Sequence, residues 1–169
     1  MTGILATILL IANFNFTLIE QGTSLNTGIN YESQLCIYKN NHLIECNHNV
    51  LYDTGKEMIK DILSSGGNQI RRMQLCNATA GCGTPNASST ETFNAMNGCG
   101  MAEATGTYGN LSVGNWSIYN KFISTCDNIV TNLTRLRNTS GSNLVGVSFA
   151  VVTLQTNDEL TLNWTNWVS

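Results

Sequence analysis

Charge is scarce in this chain. Lys and Arg number 8 and Asp and Glu 11 among 169 residues, so charged residues make up 11%, against roughly 25% in an ordinary soluble domain. Asn, Thr, Ser and Gly fill the polar positions, and the solvent face they predict is built of amides and hydroxyls. No run of Lys or Arg occurs and the formal net charge is −3, so nothing builds the positive field that nucleic acid or an anionic membrane requires. Neither is expected as a partner. Histidine is nearly missing: His42 and His48 sit among Asn residues, and no C-x2-C or H-x3-H spacing marks a zinc site. The G-x-S-x-G, H-E-x-x-H and P-loop patterns are absent too. A hydrolytic nucleophile would lack its base and orienting carboxylate. The chain is therefore read as a non-enzyme, with no catalytic residue, no metal ligand and no cofactor. Glu57, Asp61, Glu103, Asp127, Asp158 and Glu159 are read as caps, turns and solvated charges, although a glycosidase pair is recognisable only in three dimensions.

What is present points outside the cell. Hydrophobic residues reach 42% with three Trp, more apolar than chains that remain disordered, and the length suits one domain with a real core. Six cysteines, Cys36, Cys46, Cys76, Cys82, Cys99 and Cys126, form an even set that fits three disulfides in an oxidising compartment. Spacing leaves the connectivity open; the favoured pairs are Cys36 with Cys46, Cys76 with Cys82, and Cys99 with Cys126. N-x-S/T sequons without a central Pro begin at Asn15, Asn77, Asn86, Asn110, Asn115, Asn132, Asn138 and Asn163. Covalent N-glycans are expected on some of them, while a chain rich in Asn, Ser and Thr also generates such triplets by chance.

The N-terminal segment is apolar. Gly3 to Ala12 reads GILATILLIA, too short for a helix that spans a bilayer, so no stable membrane span is expected. Met1 to Ile19 contains no Lys or Arg, unlike the charged start of a secretory signal. Asn13 to Leu18 alternates polar and apolar, the period of a strand with one buried face. Ile4, Leu5, Ile8, Leu9, Leu10, Ile11, Phe14, Phe16 and Leu18 thus compose an extended arm over residues 1–20, followed by a linker over 21–33. The arm either pairs within its own domain or adds a strand to the sheet of a neighbouring subunit. A head-to-tail contact of the second kind propagates a filament unless it closes. The ATILLIA stretch also resembles the start of archaeal type IV pilins, in which an apolar helix forms the filament core; here that helix would have to continue through Asn13 and Asn15.

Residues 34–169 read as one disulfide-stapled, β-rich domain. LCIY and LIEC flank Asn40 and Asn41 as a hairpin. A two-residue turn would set Cys36 against Glu45, whereas a three-residue loop would set it against Cys46, where a cross-strand disulfide fits. Thr54 and Glu57 form a capping box for a helix over about 55–64, with Met58, Ile59, Ile62 and Leu63 as its core stripe. Strands are expected over Gln69 to Leu75, Ala102 to Tyr108, Trp116 to Ser124 and Ile129 to Leu136. The Gly83 to Gly100 loop is long enough to be either functional or held down by Cys99. Val145, Val147, Phe149 and Val151 alternate, Gln155 to Asp158 turns, and Leu160, Leu162 and Trp164 alternate again, which predicts a closing antiparallel hairpin. The expected fold is mainly β: an antiparallel β-sandwich, jelly-roll or Ig-like, with one short helix and an extended N-terminal strand.

From Asn49 to Trp167 the order of elements resembles phage tail-fibre or virion-surface modules. NVLYDTGKEMIKDILSSGG is similar to their strand, T-G and helix opening, IRRMQLCNAT to one of their strands, and VTLQTNDELTLNW to their last hairpin. The resemblance implies a β-sandwich without catalytic residues; Cys76 in place of a Gly, the further cysteines and the sequons depart from it. The resulting expectation is an extracellular, cell-surface or virion-surface structural subunit that polymerises with copies of itself through its arm. A second expectation is an adhesin that binds surface glycans through Trp116, Trp164 or Trp167, although alternation assigns Trp116 and Trp164 to the core.

Overall fold

The structure, a computed structural model, describes residues 24–25, 29–56, 59, 69–112 and 115–168. The arm residues Ile4, Leu5, Ile8, Leu9, Leu10, Ile11, Phe14, Phe16 and Leu18 and the sequon at Asn15 lie outside the described residues, as do most of the expected helix, with Glu57 and Asp61. Residues 53–56 and 59 are helical. Thr54 is not the cap: Tyr52 O accepts from the Gly55 and Lys56 N–H groups at 2.9 and 3.1 Å, and the Thr54 hydroxyl instead donates to Asn143 O at 2.7 Å. Ile59 packs against the core.

Strands dominate the rest, in two antiparallel sheets. In the first, β1 (Ser24–Leu25), β2 (Ile29–Lys39), β11 (Glu159–Val168), β8 (Asn115–Ile123) and β7 (Thr107–Ser112) follow in that order, and β3 (His42–His48) also pairs with β2. The second runs β4 (Val50–Leu51), β10 (Asn143–Leu154), β9 (Ile129–Asn138), β5 (Ile70–Leu75) and β6 (Ala104–Thr105). The two face each other as a β-sandwich. Leu35, Ile37, Ile118, Phe122, Leu160, Leu162 and Trp164 from one sheet meet Met73, Leu75, Leu136, Val145, Val147 and Leu154 from the other, all buried. Each such side chain stabilises the fold by about 1.5–3 kcal/mol relative to exposure. Met96, from the long loop, and Met101, just after it, complete the same core.

Four expectations are corrected. Residues 29–33 are not linker but the start of β2, because Tyr31 and Ser33 face inward and donate to Asn166 Oδ1 at 2.9 and 2.8 Å. The β2–β3 loop has two residues, not three: Lys39 pairs with His42 and Tyr38 with Leu43, around Asn40 and Asn41 at φ 49° and 64°, as a hairpin turn with two left-handed residues requires. A bulge at Ile44 then shifts the register so that Cys36 faces Cys46. The expected strand over 102–108 is interrupted at Gly106, where β6 leaves for the second sheet and β7 begins in the first.

The last two strands do not form the expected hairpin. β10 and β11 do not pair with each other; β10 bonds β9 and β4, and β11 bonds β2 and β8. Residues 155–158 therefore cross between the sheets, and residues 124–128 do the same between β8 and β9. The two crossings are bonded to each other, Ser124 N to Asp158 O at 2.9 Å and Asn157 N to Ser124 O at 2.8 Å. A bulge between Ser148 and Val152 also ends the alternation of β10, leaving Val151 64% exposed and Val152 buried.

Candidate functional site: an open sheet edge beside an apolar cleft

A β-sandwich with open sheets has edges, and unpaired edge strands template association with other chains. The two edges of the second sheet are covered. On β10, Asn47 Nδ2 donates to Ser148 O at 3.1 Å, Ala150 N donates to Glu45 Oε1 at 2.5 Å, and Lys39 Nζ donates to Thr153 O at 2.8 Å. These side chains reach across from β2 and β3, so β3, itself kinked by its bulge, leans onto the opposite sheet. On β5, Gly106 N donates to Arg71 O at 2.6 Å and Met96 N to Leu75 O at 2.9 Å, so β6 and the long loop cover that edge.

β7 is different. Among the described residues its backbone pairs with β8 alone, and no side chain is bonded to its outer edge. Tyr108 is 60% and Leu111 55% exposed along it. Beside β7 the two sheets part to leave a cleft of about 470 Å³, walled mainly by Tyr31, Ile70, Tyr108, Trp116, Leu136 and Leu144. Tyr31 and Trp116 meet there with ring centroids 6.5 Å apart. The cleft has a polar floor: Asn166, 1% exposed, accepts from Tyr31 and Ser33, and Asn49 Nδ2 donates to Ser33 Oγ at 2.6 Å. Burial pushes the Tyr31 phenol up, outweighing the Ser33 hydrogen bond that lowers it, so it stays a neutral donor. Chemically this is a surface that can add a strand and seat apolar side chains; the described residues that line it include no nucleophile paired with a base.

The chain matches no protein-family model, no curated protein and no solved structure.

The cysteines occupy three disulfides, Cys36 with Cys46, Cys76 with Cys82 and Cys99 with Cys126, at Cα separations of 4.0, 6.2 and 5.3 Å. The first staples the β2–β3 hairpin, the second clips the start of the long loop, and the third ties the end of that loop to the β8–β9 crossing. Three disulfides indicate an oxidising, extracellular setting, and no helix among the described residues is long and apolar enough to cross a membrane. The described His, Cys, Asp and Glu residues form no metal-binding group.

The sequons divide by environment. Asn86 and Asn110 are exposed. Asn77 is half-buried and accepts from Thr79 N at 3.1 Å, capping a short 3-10 turn over Ala78–Ala80. Asn115, Asn132 and Asn163 are half-buried with Oδ1 covered and unpartnered. Asn138 is 6% exposed and its Oδ1 accepts from Ser142 N at 2.8 Å, which makes it the most buried of the sequons among the described residues. The Trp residues separate likewise: Trp164 is fully buried, Trp116 lines the cleft and Trp167 is half-buried.

One cluster escaped sequence reasoning. Loop residue Glu91 accepts from the Tyr52 hydroxyl and from Arg135, whose Nη2 lies 2.6 Å from Glu91 Oε1, while the Arg135 guanidinium stacks 4.0 Å from the Phe93 ring centroid. This pins the long loop to the outside of the second sheet. The only signal in the sequence was an Arg in phase with Leu133 on a strand. The remaining carboxylates behave as turns and surface pairs: Asp127 accepts from Thr156 N at 2.8 Å, Asp158 pairs with Lys39 and Glu159 with Lys121 at 2.8 Å, and Glu103 bonds Arg72 and Arg137. His42 and His48 are exposed on β3.

Proposed function

We propose that this chain is a structural subunit of an extracellular filament, pilus-like or a virion appendage, in which the N-terminal arm of one copy adds as a strand to the next. The observation that carries this reading is the unpaired β7 edge beside an apolar cleft. Residues Asn13 to Leu18 supply a matching donor: main-chain groups for the β7 ladder, and Phe14, Phe16 and Leu18 on one face. Full burial of each of these three would contribute about 1.5–3 kcal/mol. Disulfides and N-glycans suit a surface that must persist outside the cell. The sandwich is also the architecture implied by the resemblance to phage fibre modules.

Deleting Met1 to Ile19 should abolish filaments while leaving the described domain folded, as read by electron microscopy and circular dichroism. Filaments formed by the truncated chain would overturn the reading, and density for a helical arm would replace strand addition with pilin-like packing. The aromatic walls and polar floor of the cleft favour one second reading, a glycan-binding adhesin. Dispersed particles that bind an oligosaccharide and lose it on Trp116→Ala would establish that alternative.

A further inference from the structure

The sequon at Asn110 lies on β7 itself. Asn110 is exposed and pairs in register with Trp116, and residues opposite each other on an antiparallel ladder project from the same face. Asn110 therefore stands on the cleft face of the edge strand, two positions along from Tyr108. No other sequon among the described residues has this placement. Asn77 and Asn86 lie in the loop over the second sheet, and Asn115, Asn132, Asn138 and Asn163 are on strands paired on both sides.

We propose that Asn110 is a glycan acceptor whose occupancy converts a subunit into a chain terminator. The inference rests on strand addition at β7. In the modification the Asn110 Nδ2–sugar C1 bond forms as the sugar–phosphate bond of a lipid-linked oligosaccharide pyrophosphate breaks, and the displaced amide proton leaves with the pyrophosphate. The attached sugar fills the space beside Tyr108 and Trp116 where the incoming arm would seat Phe14 or Phe16. A modified copy cannot accept an arm. Its own arm is unchanged, so it still donates. In a head-to-tail polymer such a copy joins one end and stops growth there, and the fraction of modified copies sets the filament length.

The test is to express the full chain in an N-glycosylating secretory host and separate long filaments, short filaments and unassembled subunits by sedimentation. Glycopeptide mass spectrometry then reads Asn110 occupancy in each fraction, beside Asn110→Gln. Severalfold enrichment of the Asn110 glycan in the short and unassembled fractions, with longer filaments from Asn110→Gln, is the expected result. Equal occupancy in all fractions, no glycan at Asn110 in any of them, or unchanged lengths for Asn110→Gln would overturn the terminator. Absence of filaments from both chains would instead overturn strand addition itself, and the terminator with it.

Discussion

Glu91 shows how a single side chain in a loop controls a large covered surface. Its burial favours the neutral acid, but the Tyr52 hydroxyl and the Arg135 guanidinium outweigh that and hold the carboxyl below its ordinary value of 4.5. A group whose pKa is depressed on folding contributes stability that is complete above its unfolded pKa and is lost as pH falls through the folded one. Urea midpoints should therefore decline as pH drops below about 4.5, and the decline should be shallower in Glu91→Gln. An equal slope in both proteins would show that other carboxylates carry the acid dependence; Asp158, held low by the Asn40 amide, the Gln155 N–H and Lys39, is the first to examine. Removing the opposite partner has a larger effect. Arg135→Met leaves a buried carboxylate unpaired and should destabilise by about 3–5 kcal/mol in equilibrium unfolding. Gly146 is fixed by close approach, since a Cβ there would lie 2.1 Å from the Tyr52 hydroxyl oxygen. Gly146→Ala should cost about 1–3 kcal/mol in the same measurement.

At the scale of elements, β7 separates folding from assembly. Tyr108 is 60% exposed, so Tyr108→Lys removes little core and should leave the thermal midpoint nearly unchanged, while placing a charge at the cleft mouth in the way natural sheet edges are blunted. Filament formation should fall sharply in electron micrographs. Wild-type filaments from Tyr108→Lys would move the acceptor site away from β7. The β2–β3 hairpin was legible because its signals are local: two Asn residues at the turn and cysteines on either side. The bulge at Ile44, which brings Cys36 to Cys46 despite a two-residue turn, left no mark in the sequence, because bulging depends on what the strand meets across the sandwich. Here Glu45 and Asn47 reach the backbone of β10.

For the whole molecule, the disulfides differ in the length of chain they close. Cys99–Cys126 spans 27 residues and Cys76–Cys82 spans 6, and loop-closure entropy grows with that length. Replacing the first pair by Ala should cost about 3–4 kcal/mol and the second about 2 kcal/mol, compared by chemical denaturation of the two double variants. A reversed order would show that strain or residual denatured structure, rather than chain entropy, governs their effect.

The sequence by itself determined the strand-rich class, most strand positions, the turns at Asn40–Asn41 and 155–158, and which residues of β11 face inward, since each depends on period, turn chemistry or short spacing. Only the tertiary structure decided that β10 and β11 belong to opposite sheets, that Tyr31 lies in a strand, that Asn138 is buried while Asn110 is exposed, and that the uncovered edge of β7 lies beside the cleft. The physical reason is that alternation records which face of a strand is buried, and that face looks the same whether the next strand lies beside it in one sheet or across the core in another. Hydrogen-bond partners and edge protection come from residues far apart in the chain, as Lys39 and Thr153 are, and no local pattern encodes them.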